Sequence, residues 1–310
     1  MGRVSPASSR HASKTAPRRA KDDRACPFGC HPCEPRQGQA LRPYDQPGMP
    51  MVTVGDRRLS YESSGNGENR LLFVHGFRNS CQSWSLIRDR LDPTRFSSWY
   101  LDLPGCGRSS RPDRWQECTI ERYADDVQQF CSSLGLQDVV LIGHSLGGAV
   151  AMRVALDHPE VLRALVLVAP TAAEGIGYLT DDQLATLIRP SDEELAAVVR
   201  AAFHQVPSKE TFDRVMATVR SASPAHVEGA VRSQREFSVA DRLGEISTPT
   251  LVVGGDRDRH VPIRYTLRTA AAIRRCAVQI YHNVGHAPFI EVPEEFTELL
   301  EEFVLDDLTA

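Results

Sequence analysis

From residue 51 onward the apolar positions keep two alternating rhythms. Short unbroken apolar runs such as "RLLFVHG", "DVVLIGHS", "LRALVLVAP" and "TPTLVVGGD" read as strands buried on both faces. Between them stand segments with helical spacing: in "TIERYADDVQQFCSSL", Ile120, Tyr123, Val127 and Phe130 share one face. "SWSLIRDRL", "LGGAVAMRVALDHP", "IRYTLRTAAAI" and "PEEFTELLEEFV" read as further helices, and "SSWYLDLPG" and "CAVQIYHNVG" as further strands. At the start, "MVTV" and "RLSYES" flank the turn "GDR", which predicts an antiparallel hairpin at one edge of the sheet. Strands alternating with helices predict βαβ units and an α/β fold, a mostly parallel eight-stranded sheet with helices on both faces.

The alternation breaks between about residues 171 and 245. "DDQLATLI", "SDEELAAVVRAAFHQV", "SKETFDRVMATVRSA" and "AHVEGAVRSQREF" are helical with no strand among them, and Ser191, Ser208 and Ser223 stand where N-caps belong. A helical insertion after the sixth strand predicts a lid over the carboxyl edge of the sheet, where open α/β sheets bind ligands.

Composition narrows the class. The chain has 310 residues, 41% hydrophobic and 25% charged, as in water-soluble globular proteins, and no apolar run long enough for a membrane span. The net charge of -4 is uneven: residues 1–48 hold nine Lys/Arg against four Asp/Glu, a net +5, which leaves -9 on the rest. So acidic a body is a poor nucleic-acid binder. The leader, rich in Ser, Ala, Pro and Arg without periodicity, reads as a disordered basic extension, or as sequence upstream of a start at Met49 or Met51. It has no apolar stretch of the kind an export signal needs. The expected organisation is therefore this leader (1–48) and one domain (49–310).

The leader also carries Cys26, Cys30 and Cys33 around His31, a spacing similar to cluster-binding motifs. With no second half to the site, it reads as chance or adventitious metal binding. Cys81, Cys106, Cys118, Cys131 and Cys276 are scattered and odd in number, as expected of reduced thiols in a cytoplasmic protein. No cofactor and no metal is expected, and the expected partner is a small-molecule substrate, not a nucleic acid or a membrane. The oligomeric state is left open.

The candidate chemistry lies at "VLIGHSLGGAV". A serine on a sharp turn from strand to helix needs neighbours without bulk, and Gly143 and Gly147 supply them beside Ser145. The helix that follows points its first amides at the turn, so the amide of Leu146 can stabilise an oxyanion. Together "HGF", "DLPGCGRSS", "GHSLGGA", "GGDRDRHVP" and "GHAPFIEVPEEF" resemble, in order and spacing, the α/β-hydrolase superfamily over residues 51–310. The likeness is strongest to lidded serine hydrolases, which include esterases, lactonases, carbon-carbon bond hydrolases and cofactor-free haloperoxidases.

That resemblance implies a triad in the order serine, acid, histidine. Ser145 is the nucleophile, His286 in "GHAP" the base, and Asp258, four residues before Pro262, the acid. Asp256 then reads as a turn former, with an exchange of roles between Asp256 and Asp258 the alternative, Asp102 as ordering its own loop, His282 as a packing or hydrogen-bonded histidine near the strand interior, and His75 as a brace. The resemblance assigns the second oxyanion amide to Phe77. His144 is expected to face away from the nucleophile. Epoxide hydrolases and haloalkane dehalogenases use a carboxylate nucleophile, against which Ser145 argues.

The implied activity is hydrolysis of a carboxylic ester or related acyl bond of a small to medium apolar substrate through an acyl-enzyme. Carbon-carbon bond hydrolysis, acyl transfer with the same triad, and a non-catalytic binding protein are the alternatives. The insertion offers an apolar stripe of Leu184, Leu187, Ile188, Leu195, Val198, Val199, Phe212, Val215, Met216 and Val219 to core and cleft. Arg200, Arg214, Arg220 and His204 are candidates for an anionic group and read as solvated.

Overall fold

The apolar runs form the sheet as their pattern requires. In a computed structural model that describes residues 49–308, the strands are β1 (Met51–Val54), β2 (Arg57–Ser64), β3 (Asn69–Val74), β4 (Phe96–Leu101), β5 (Val139–His144), β6 (Leu162–Val168), β7 (Thr250–Gly255) and β8 (Cys276–Tyr281). They lie in the order β1-β2-β4-β3-β5-β6-β7-β8. The hairpin pairs antiparallel from Met51 opposite Ser60, β2 runs antiparallel to β4, and every pairing from β4 to β8 is parallel. The readings made for residues 1–48, including the one at Cys26, Cys30 and Cys33, lie outside the described residues.

Both faces of the central strands are buried, and successive residues serve opposite faces. Leu72, Val74, Leu141, Leu165 and Leu167 pack in one core with Tyr123, Val127 and Phe130 of α2 (Ile120–Leu134) and Val150 and Val154 of α3 (Leu146–Asp157). Leu71, Phe73, Val140, Ile142, Val166 and Val168 pack in the other, with Trp84, Phe289 and Phe296. The helix predicted in "SWSLIRDRL" shortens to a 3-10 turn at Cys81–Trp84 and one α-turn, α1 (Ser85–Arg88). The Asp92-Pro93 pair that follows disfavours further helix.

Four helices stand between β6 and β7: α4 (Asp181–Ile188), α5 (Asp192–Ala201), α6 (Lys209–Ser221) and α7 (Pro224–Glu236). The side chains of Ser191, Ser208 and Ser223 each accept an amide of the first turn, and Thr180 does the same for α4. After β7 come α8 (Ile263–Ala272), then, beyond β8, α9 (Pro288–Glu291) and α10 (Pro293–Glu302). Among the described residues no helix is long and apolar enough to cross a membrane. Cys81, Cys106, Cys118, Cys131 and Cys276 are free thiols.

Candidate active site

Strand β5 ends at His144 and α3 begins at Leu146, so the whole turn is Ser145. Its φ of 51° and ψ of -112° put a non-glycine residue in a sparsely populated conformation. The surrounding backbone holds it there. Its amide donates to the Val168 carbonyl at 3.0 Å, and its carbonyl accepts from Gly148 at 2.9 Å and Thr171 at 3.0 Å. The strain therefore falls on the serine and not on its glycines, which serve close approach instead. A Cβ on Gly143 would lie 2.2 Å from the Gly147 carbonyl, and one on Gly147 would lie 2.4 Å from the Val74 carbonyl.

His286 stands on the loop after β8, and its Nδ1 donates to Oδ2 of Asp258 at 2.7 Å. Both side chains are nearly dry, 6% and 2% exposed. Asp258 is held in turn by the amides of His260 at 2.8 Å and Val261 at 2.9 Å, both donating to Oδ1. Burial alone would raise its carboxyl, but His286 and the Val261 amide outweigh that and hold it below the ordinary carboxylate range. With Nδ1 donating, a neutral His286 carries its lone pair on Nε2. Asp256 faces another way: it accepts from His282 Nδ1 at 2.6 Å and from the Asn283 amide at 2.7 Å. His282 is 75% exposed at the end of β8, not interior as its position in the run suggested.

The loop after β3 lies against the serine turn, where a methyl on Gly76 would come within 3.3 Å of the Ser145 Cβ. His75 braces this loop with both ring nitrogens. Nε2 accepts from the Leu103 amide at 3.1 Å, and Nδ1 donates to the Gly76 carbonyl at 2.8 Å. Asp102 orders two loops at once, accepting from the amides of Cys81 at 2.8 Å and Arg108 at 3.0 Å. Phe77 stands beside Ser145 and His286 in the wall of one cavity. Leu146 opens α3, so its amide belongs to the first turn, whose donors have no partner within the helix.

Three further histidines stand around this site, and sequence reading gave no part to two of them, His226 and His260. Strand alternation puts His144 on the face of Val140 and Ile142, the side from which the His286 loop arrives. Its Nε2 donates to the His286 carbonyl at 3.0 Å and the rings stand 4.8 Å apart, so it braces the backbone that carries His286, a structural part. His226 of α7 accepts from the Arg78 amide at 3.3 Å and bonds the Tyr123 hydroxyl at 2.7 Å, and Tyr123 donates to the Pro104 carbonyl. Burial takes its pKa down to about 3, which keeps it a neutral acceptor. His260 donates to the Val198 carbonyl at 3.0 Å, with its ring 5.0 Å from that of His286. Nothing in the local sequence around His226 or His260 marks them; long-range folding brings them in.

A family model described as alpha/beta hydrolase fold matches residues 69–293. The chain belongs to this family. It is 29% identical over 252 residues to a pimeloyl-[acyl-carrier protein] methyl ester esterase of Citrobacter koseri, covering 77% of this chain and 95% of the esterase. It is 26% identical over 269 residues to 2-hydroxy-6-oxononadienedioate/2-hydroxy-6-oxononatrienedioate hydrolase 2 of Pseudomonas putida, covering 80% of this chain and 92% of that one. Among solved structures, a thermophilic esterase from Thermogutta terrifontis superposes with a TM-score of 0.71 at 26% identity, over 85% of this chain and all of that one. As a member of the alpha/beta hydrolase family with esterase and hydrolase relatives, the protein is a hydrolase.

In this hydrolase the helices between β6 and β7 wall a cavity of about 530 Å³ that contains Ser145 and His286. Leu187, Val198, Val199, Val215 and Val219 of the apolar stripe reach it, whereas Leu184, Leu195 and Met216 are buried in the cores. Arg200 lies over the Phe212 ring, Arg220 faces Asp192, and Arg214 donates to Thr211; the cavity wall holds none of these, nor His204. Among the described residues, Asp182 and Arg259, both exposed, are the carboxylate and the guanidinium of that wall. Among the described residues, no group of three or more His, Cys, Asp or Glu side chains is arranged to hold a metal ion.

Proposed function

We propose that this protein is a serine hydrolase that cleaves a carboxylic ester, or a related acyl bond, of a small to medium apolar substrate. The observation that carries the reading is the dry His286–Asp258 pair opening on an apolar cavity that also holds the strained Ser145 turn. His286 Nε2 takes the hydroxyl proton as Ser145 Oγ attacks the carbonyl carbon, and Asp258 stabilises the imidazolium that forms. The amides of Phe77 and Leu146 face the oxyanion. His286 then returns the proton to the leaving alkoxide, and the acyl-enzyme is released by water activated on the same nitrogen. The four-helix insertion acts as the lid.

The relative named for a dioate raises carbon-carbon bond cleavage as a second reading. It needs a site for carboxylates, and among the described residues the one guanidinium in this cavity wall is exposed, which favours a neutral ester. The test is labelling by a fluorophosphonate, followed by p-nitrophenyl esters of graded chain length. Ser145→Ala should lose labelling and drop turnover by roughly a millionfold with an unchanged fold, since only one oxygen at the cavity wall is removed. A mutant that keeps more than about a tenth of wild-type turnover would overturn the assignment.

A further inference from the structure

We propose that Glu291 is a positioning residue for His286, its carboxylate locking the segment that leaves α5 to the loop that carries the base. The inference rests on the reading of His286 as that base.

Glu291 ends α9 and its side chain bridges two stretches of main chain. Oε1 accepts from the Gly285 amide at 2.8 Å, and Oε2 accepts from the amides of His204 and Gln205, each at 2.9 Å. One residue on, the His286 amide donates to the Ala202 carbonyl at 2.7 Å. The two stretches are so close that a Cβ on Gly285 would stand 2.6 Å from the Ala202 carbonyl oxygen and 2.7 Å from the His204 nitrogen. Only glycine leaves room for this seam, and only a carboxylate offers acceptors to amides on both sides of it.

The seam matters because of what hangs on each side. Ala201, Ala202 and Phe203 form part of the cavity wall, and His260 ties the same helix, through Val198, to the Asp258 loop. Glu291 therefore makes one rigid unit of the wall that a substrate touches and the backbone that sets the height of the His286 ring. A displacement of about 1 Å in a catalytic group can lower turnover a hundredfold, so such a unit contributes to rate without touching substrate.

The test compares full-length wild type with Glu291→Gln and Glu291→Ala. Hydrogen exchange is read on peptides spanning 199–206 and 283–287, and kcat and KM on an ester that wild type accepts. Glu291→Ala should deprotect both peptides together and lower kcat between about tenfold and a hundredfold, with KM within about threefold. Glu291→Gln keeps one acceptor and presents an NH2 group to the remaining donors, so it should deprotect one peptide and fall between. Because an unfolded fraction would lower apparent kcat and leave KM unchanged, kcat is taken per folded molecule. Unchanged protection in Glu291→Ala, or lost protection with kcat within about twofold of wild type, would overturn the proposal. If Glu291→Ala does not fold, the near-isosteric Glu291→Gln is judged by the same two readouts. Should wild type hydrolyse no ester and take no fluorophosphonate, the hydrolase reading fails by itself. The exchange data then decide the clamp: joint deprotection supports it, and unchanged protection overturns it.

Discussion

Asp256 and Asp258 are two residues apart, yet each binds a different histidine in a different medium. Asp258 meets His286 in a dry pocket, where charge on either group is poorly screened. Asp256 meets His282 at the solvent edge, where the same pairing contributes little. Asp258→Asn should therefore lower kcat/KM by roughly ten-thousandfold at neutral pH, because an amide imposes the wrong tautomer on His286. Asp256→Asn should cost less than about tenfold, since Asn can still accept from the Asn283 amide. Rate profiles of both between about pH 5 and pH 9 check this. A crippled Asp256→Asn beside an active Asp258→Asn would move the acid by two residues. The Asp258–His286 pairing and the Ser145 turn were legible because each residue sits in a short motif at a strand end. His144, His226 and His260 were not, since their roles depend on which distant backbone groups reach their rings. The alternation of β5 assigns the face of His144, but not the backbone carbonyl that its ring reaches.

Strands and helices were legible to the extent that burial drives their periodicity. All eight strands, the edge hairpin and the four inserted helices stand where apolar spacing and capping serines put them. The order of strands was not readable, since β4 inserts between β2 and β3 through pairings between distant segments. Nor was the shortness of α1, before which Trp84 of the 3-10 turn packs on Phe289, with rings 4.3 Å apart. The β5–α3 junction is the element on which the site depends most, and its tolerance can be tested with methyl groups. Gly147→Ala places a carbon 2.4 Å from the Val74 carbonyl and 2.6 Å from that of His75, so helix and sheet must separate. It should destabilise by about 3 kcal/mol or more, as overpacking against backbone does. Gly177→Ala meets nothing within 4 Å and should be neutral or stabilise by up to about 1 kcal/mol. Urea midpoints of the two proteins check the contrast, and equal midpoints would show that the junction is loose.

At the scale of the molecule, the buried histidines make stability a function of pH. Burial lowers the pKa of His75, lowers that of His144 further, and takes His226 and His260 from an ordinary 6.5 to about 3 and about 4. Each is neutral when folded and protonates first in the unfolded chain, so its stabilisation is complete above about pH 6.5 and is lost as pH falls below it. Two carboxyls oppose this. Burial raises Asp126 to about 6 despite its 2.7 Å pair with Arg57, and it also raises Glu291, so as pH falls through the carboxylate range, from about 6 for Asp126, the folded chain takes up those protons first. Four histidines against two carboxyls, one of them partly screened by solvent, leave the balance with the histidines. Stability should then fall from pH 7 to pH 5 by roughly 1.4 kcal/mol per pH unit for each unopposed histidine. It should fall again above about pH 9, where Cys81, Cys106, Cys118 and Cys131, all raised by burial, ionise first in the unfolded chain. Urea unfolding measured across that range gives the curve, and stability that is flat or rises from pH 7 to pH 5 would contradict it. His226→Gln isolates one contributor, because the glutamine oxygen can still accept from Arg78 while nothing at that position titrates. Its acid slope should be shallower than wild type by about one proton, and an unchanged slope would remove His226 from the account.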